Sequence, residues 1–155
     1  MRTAYLFAAA VMIAGCGEDK IDGTMPPVTI PSVVVQCSGA AYESCENKRA
    51  AVFWATSECT VSNINARHYT ASAATVVSTS DCSGGGCLLS VSSWNPPHSS
   101  ETTTTQIPPG NYNLCVFIDS SGDGTVGNSG DWMGTINVVV DKYTAEQTVP
   151  NYRQL

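Results

Sequence analysis

Between Asp119 and Asp131 the chain reads DSSGDGTVGNSGD. Three carboxylates share these thirteen residues with no lysine or arginine among them. Such a set repels itself unless something offsets the charge. Calcium is one candidate, a hard cation that takes six to eight oxygens from carboxylates and carbonyls on a flexible loop. Asp119, Ser121, Asp123 and Gly124 fall at the first, third, fifth and sixth places of the D-x-[DN]-x-[DN]-G pattern. The twelfth place holds Gly130 rather than glutamate, and Asp131 comes one residue late. The expectation is a loop between strands, not a helix-loop-helix hand. In it Asp119, Asp123 and Asp131 would supply charge, Ser121 or Asn128 a neutral oxygen, and Thr125 a backbone carbonyl. Ca2+ would then be a structural cofactor of modest affinity, with a dissociation constant on the order of 10⁻⁴ to 10⁻³ M. The competing expectation is an ordinary long turn, since turn chemistry recruits the same Asp, Gly, Ser and Asn residues.

The cysteines form a second set. They stand at 16, 37, 45, 59, 82, 87 and 115. No C-x-x-C spacing occurs, which argues against zinc. With Cys16 set aside, Cys37, Cys45, Cys59, Cys82, Cys87 and Cys115 make an even number, enough for three disulfides in an oxidising compartment. Six cysteines allow 15 connectivities, and spacing does not choose among them. Cys82 and Cys87, in CSGGGC, are the one pair that local chain geometry favours, because three glycines permit a tight closure.

Signals of catalysis are absent from the sequence. His68 and His98 are the only histidines, and no G-x-S-x-G accompanies them. Glu43, Glu46 and Glu58 suggest solvated surface before an acid/base pair. Gly84-Gly85-Gly86 lies between cysteines and lacks the Lys-Ser/Thr of a phosphate-cradling loop. Trp54, Trp94 and Trp132 would stack on sugars if exposed, but core positions are the commoner fate of tryptophan in a small domain. The chain carries a formal charge of −6, which becomes −7 when Arg2 is removed, and its basic residues are scattered apart from Lys48-Arg49. Nucleic acid is therefore excluded as a partner, since its binding needs clustered cations.

The elements that must position these residues begin with an export segment. Residues 1–15 place Arg2 before an apolar run, Ala4 to Ala14, and end in Ile13-Ala14-Gly15 ahead of Cys16. Eleven apolar residues are too few to span a bilayer of about 30 Å, so the segment reads as a removable signal. Residues 16–31 carry early acidic residues and then prolines without a hydrophobic period, a tether of roughly 50 Å at full extension. Residues 32–155 make one domain. Charged residues are only 13% of the chain, and Ser, Thr and Gly abound, which suits short strands and turns.

Strands are expected at Ser32 to Gln36, Val52 to Ala55, Tyr69 to Ser78, around Leu89 to Ser93, at Thr102 to Ile107, and at Thr144 to Val149. Gly39 to Ala51 reads as a short helix or a disulfide-bound loop. After the turn at Pro108-Pro109-Gly110-Asn111 comes the clearest strand, with Tyr112, Leu114, Val116 and Ile118 on one face. Its other face, Asn113, Cys115, Phe117 and Asp119, is partly apolar, which places it inside a sheet. Beyond the acidic loop Trp132, Ile136, Val138 and Val140 share a face, with a gap at Gly134.

Ile13-Ala14-Gly15-Cys16 resembles the lipobox of bacterial lipoproteins. That resemblance implies a diacylated Cys16 as the mature N-terminus and a lipid bilayer as its partner. Gly17 after the cysteine implies the outer membrane of a Gram-negative envelope. Ile107-Pro-x-Gly-x-Tyr followed by Val116-Phe-Ile-Asp119 is similar to a strand of transthyretin-like and carboxypeptidase-regulatory-like modules, about 35 residues in all, and implies a structural or binding appendage. An immunoglobulin domain places tyrosine two residues before its strand-F cysteine, whereas Tyr112 stands three before Cys115. The expected fold is all-β, a single Ig-like or transthyretin-like antiparallel β-sandwich with up to three disulfides and room for one short helix. The expected role is a membrane-anchored structural or binding module of the cell envelope, with an unidentified protein or glycan ligand. A carbohydrate-binding module using Trp94 or Trp132, and an envelope hydrolase, are the alternatives.

Overall fold

The computed structural model describes residues 26–38, 45–84, 86–97 and 103–155. The export segment, Cys16, most of the tether, residues 39–44 of the expected helix or loop, and His98 lie outside them. In chain order the elements are β1 (Val28–Thr29), β2 (Val33–Ser38), β3 (Arg49–Ala55), a one-turn helix α1 (Val61–Asn65), β4 (Tyr69–Val76), a 3-10 turn (Thr79–Asp81), β5 (Cys82–Ser83), β6 (Gly86–Val91), β7 (Gln106–Ile107), β8 (Gly110–Asp119), β9 (Trp132–Val140), β10 (Gln147–Val149) and β11 (Tyr152–Gln154). Two sheets carry the fold, ordered β10-β2-β6-β5 and β11-β9-β8-β3-β4, and β1 pairs with β7 in a small ribbon. The molecule is an all-β sandwich. Among the described residues its strand pairs are antiparallel with one exception, β10 alongside β2, where Gln147 to Val149 run parallel to Val33 to Val35.

Alternation builds the core. Val33, Val35 and Cys37 from β2 and Leu89 and Val91 from β6 meet Val52 and Trp54 from β3 and Leu114, Val116 and Ile118 from β8. Each large aliphatic side chain so buried contributes about 1.5–3 kcal/mol. Val116 pairs with Gly134, opposite residues on β8 and β9, and the gap at Gly134 is filled from the C-terminal segment. A Cβ there would stand 2.8 Å from the Asn151 carbonyl oxygen and 2.8 Å from Val149 Cγ1. The Tyr152 hydroxyl donates to the Val149 carbonyl at 3.0 Å beside it, and burial pushes the Tyr152 phenol well above its usual range.

Three findings differ from the sequence-based expectation. Val28 and Thr29, assigned there to the tether, pair with Ile107 and Gln106, and Ile30 is 1% exposed. Strand pairing therefore begins ahead of Ser32, where Ile30 has apolar surface to bury. Residues 49–51, placed with the helix or loop, belong to β3. The short α1, capped by the Thr60 hydroxyl accepting from the Asn63 amide, lies in a stretch with no amphipathic period.

All six described cysteines are paired, Cys37 with Cys45, Cys59 with Cys115, and Cys82 with Cys87. The Tyr112 hydroxyl donates back to the Pro108 carbonyl at 2.9 Å, the bond of a tyrosine corner. The odd three-residue step from Tyr112 to Cys115 then has a physical meaning. Successive strand residues face opposite sides, so Tyr112 points into the sandwich while Cys115 points out of it, where it holds the segment bearing α1.

Candidate functional site

The acidic loop joins β8 to β9 at the end of the sandwich opposite the β1-β7 ribbon. Register sets that polarity, since Gly110 pairs with Val140 at one end and Ile118 with Trp132 at the other. The expected ligand residues are held there in two layers. In the inner layer Asp119 is 3% and Asp131 0% exposed. Asp119 Oδ1 accepts from the Gly122 amide at 2.7 Å and the Ser121 hydroxyl at 3.1 Å, and Oδ2 from the Gly124 amide at 2.9 Å. Asp131 Oδ1 accepts from the Ser121 amide at 3.2 Å, and Oδ2 from the Gly127 and Asn128 amides at 2.9 and 3.0 Å. Each carboxylate is thus met by backbone dipoles aimed at its charge, as an anion is in a backbone nest.

The outer layer is exposed. Asp123 Oδ1 accepts from the Thr125 hydroxyl and amide at 2.6 and 2.8 Å, and Oδ2 from the Asn128 side-chain amide at 2.6 Å. These bonds, the Thr125 hydroxyl foremost, hold the Asp123 carboxyl below its usual range. Thr125 enters through its hydroxyl and amide, both donating to Asp123. The three carboxylates do not converge on one point, and among the described residues no group of three His, Cys, Asp or Glu side chains is placed to hold a metal ion. The partners found for the two inner carboxylates are backbone amides and the Ser121 hydroxyl.

Residues that no local pattern singled out complete the loop. Arg49 Nη1 donates to the Gly124 carbonyl at 2.9 Å. The Lys48 ammonium lies 3.4 Å from where a Cβ on Gly122 would sit. The adjacent Lys48-Arg49 pair is brought here because Arg49 lies opposite Asp119 in the β3-β8 ladder. The C-terminus closes the base, with the Leu155 amide donating to the Asp131 carbonyl at 2.8 Å and the Gly130 amide to the Leu155 carbonyl at 3.2 Å.

The loop also covers a second core on the outer face of the five-stranded sheet. Ala55, Cys59, Ile64, Cys115, Phe117 and Met133 are buried there, with Val61 and Val126 packed against them. Gly127 marks the contact. Its φ is +92°, and a Cβ would come within 2.7 Å of Val61 Cγ2. Between this covered region and edge strand β4 runs a groove of about 470 Å³. Phe53 and Tyr69, edge to face at 5.1 Å, line it with Asn65 and Asn95. Ala51, Ser72 and Ala74 keep it open by being small, and Arg49 and Arg67 stand along it.

Trp94 takes the core position expected of tryptophan in a small domain, not that of an exposed sugar platform. Trp94 is fully buried and packs edge to face on Trp54 at 5.7 Å, and Trp132 is half-buried against the main core. His68 is exposed, and its backbone serves the turn after α1, its carbonyl accepting from the Thr56 amide at 3.0 Å. Set against known proteins, the chain matches no family model, no curated protein and no solved structure.

Proposed function

We propose that this protein is a lipoprotein of the bacterial cell envelope, acylated at Cys16 after loss of residues 1–15, whose sandwich is a structural and binding module held on the membrane. The observation that carries this reading is the cysteine pairing. Six of seven cysteines form disulfides, which requires an oxidising compartment. Cys16, the residue at which the lipobox resemblance places the lipid, is the odd one left. Two acyl chains hold stably where one holds marginally, each buried methylene contributing about 0.8 kcal/mol. The chain enters the sandwich at the β1-β7 end, so a membrane-held domain would turn its acidic loop and the Arg49 end of the groove away from the lipid. Among the described residues no helix is long and apolar enough to cross a membrane, and anchoring on this reading needs none.

Detergent phase partition of cells expressing the full chain tests it. The wild type is expected in the detergent phase, and Cys16→Ser in the aqueous phase or uncleaved at the N-terminus. Recovery of the wild type in the aqueous phase with residues 1–15 attached would overturn the assignment.

A further inference from the structure

Four of the six described cysteines gather at the four-stranded sheet, and three of them stand in one row across it. Cys37 of β2 lies directly opposite Cys87 of β6, and Cys87 directly opposite Cys82 of β5. Directly opposed residues of neighbouring strands point to the same face. Here that face is the core, where Cys37 and Cys87 are fully buried and Cys82 packs half-buried against the same cluster. Cys45, also fully buried, bonds to Cys37 from the segment that leads into β3. A Cβ on Gly86 would stand 3.2 Å from the Cys37 carbonyl oxygen, so glycine lets β6 lie close to β2 beside the row. Two disulfides therefore meet at the β2-β6 ladder, Cys37–Cys45 and Cys82–Cys87. The third, Cys59–Cys115, is separate, in the second core on the outer face of the other sheet. The row also has a direction. β5 is the edge strand of its sheet, so Cys82 stands at the border and Cys37 inside.

We infer that this row is a thiol–disulfide exchange site that takes its electrons from a dithiol, a role that does not depend on Cys16. Exchange proceeds by attack of a thiolate on one sulfur of a disulfide, and access helps decide which sulfur is attacked. One thiolate of the dithiol attacks Cys82 Sγ, the more accessible sulfur of its bridge. The Cys82–Cys87 bond breaks, and its electron pair leaves on Cys87 Sγ as a thiolate. Cys87 faces Cys37 and attacks its Sγ, so the Cys37–Cys45 bond breaks and Cys45 leaves as a thiolate. The second thiol of the dithiol then attacks the reagent's sulfur in the mixed disulfide, releasing Cys82 and closing the reagent's own disulfide. Two protein disulfides become one disulfide and two thiols; two electrons enter, and the two protons of the dithiol end on Cys45 and Cys82. The new Cys37–Cys87 bond fits the sheet. Opposed antiparallel residues hold their Cα atoms about 4.5–5.5 Å apart, within the roughly 4.4–6.8 Å that a disulfide spans. Both of its cysteines are fixed by the ladder at high effective concentration, whereas Cys45 belongs to no strand. The exchange moves a crosslink. Cys37–Cys45 ties one sheet to the entry of β3 in the other, while Cys37–Cys87 lies within one sheet. A reductant at the border thereby loosens the approach to Lys48 and Arg49, which meet the acidic loop.

Limiting dithiothreitol tests the inference on the full oxidised chain in detergent, followed by acid quench, alkylation of thiols and mass spectrometry of the linked peptides. With an equimolar amount, Cys37–Cys87 is expected as the main new linkage, with Cys45 and Cys82 as the alkylated thiols and Cys59–Cys115 intact. Thiols at Cys82 and Cys87 beside an intact Cys37–Cys45 bridge would overturn the inference, and so would thiols spread evenly over all six cysteines. Two variants approach the same bond from opposite ends. Cys82→Ser starts with Cys87 as a thiol and is expected to hold Cys37–Cys87 with Cys45 free. Cys45→Ser starts with Cys37 as a thiol and is expected to hold the same bond with Cys82 free. Cys59→Ser, which frees Cys115 in the other core, should keep Cys37–Cys45 and Cys82–Cys87. Retention of Cys37–Cys45 in Cys82→Ser, or equal rearrangement in Cys59→Ser, would sink the proposal. The wild-type experiment needs no variant to fold. The Cys16 peptide is read in the same spectra, so failure of the lipid anchor and failure of the exchange are separate results.

Discussion

Two glycine-rich connections sit at the same end of the sandwich, and the molecule closes them by different means. The short one, Cys82 to Cys87, is shut by a covalent bond between facing cysteines of β5 and β6. The long one, Asp119 to Asp131, is shut by carboxylates that gather backbone amides from the inside. Gly84 in the first has open space where a side chain would go, whereas Gly127 in the second is pressed against Val61. A six-residue connection needs only its ends joined. A thirteen-residue connection has polar backbone to satisfy along its length, and buried anions are an efficient way to do so because each accepts several donors. The difference makes the short turn sensitive to reductant and the long loop sensitive to the identity of its carboxylates.

The sharpest break of that contrast is Asp131→Ala. It strips the acceptor from the Ser121, Gly127 and Asn128 amides and is expected to lower unfolding free energy by about 3 kcal/mol or more, each stranded buried donor costing about 1–3 kcal/mol. Urea titration of the oxidised protein measures it, and a loss no larger than that of a surface variant would mean that water serves those amides equally well. Gly127→Ala comes next, at about 2–3 kcal/mol from overpacking and left-handed backbone strain. Pairing it with Val61→Ala should recover part of the loss, because the two residues share the contact; purely additive losses would place the cost in the backbone alone.

Replacing Cys82 and Cys87 together by serine should cost about 2 kcal/mol, the loop-entropy value for so short a closure, against about 4 kcal/mol for the Cys59–Cys115 bridge, which spans 56 residues. Equal melting of the two variants would show that chain entropy does not set their worth.

The smallest effects belong to the outer layer. Asp123 has a lowered folded pKa, so its contribution is present above the unfolded value near 3.8 and is lost as pH falls through the folded value below it. Hydrogen exchange of the Thr125 amide should quicken only in that acid window, and quickening near neutrality would mean that another group governs the loop. Calcium at millimolar concentration, compared with chelator, decides whether the loop also takes an ion: an upward shift in melting temperature that is absent from Asp123→Ala would place calcium there, and no shift would leave the amide-bonded loop as the whole of the site.

Much of this architecture is legible in the chain. Tyr112, Leu114, Val116 and Ile118 alternate with a partly apolar second set, and both faces of β8 are indeed buried. CSGGGC closes as its glycines allow. What alternation misses are the elements whose stability comes from elsewhere. β1 and β11 are strands of two and three residues, too short to show a period, and α1 is held by the Cys59–Cys115 bond and the apolar contacts of Ile64. The amide partners of Asp119 and Asp131 were not legible either, because a carboxylate that takes amide hydrogens and one that takes a cation look the same in one dimension.

The sequence alone determined the all-β class, the tight Cys82–Cys87 turn and the strand pair around the acidic loop. These follow from local rules of periodicity, turn chemistry and spacing. Tertiary structure decided the rest, because it depends on register between segments far apart in the chain. Register set Arg49 against Asp119, took Cys115 outward to Cys59, and buried Trp94 on Trp54.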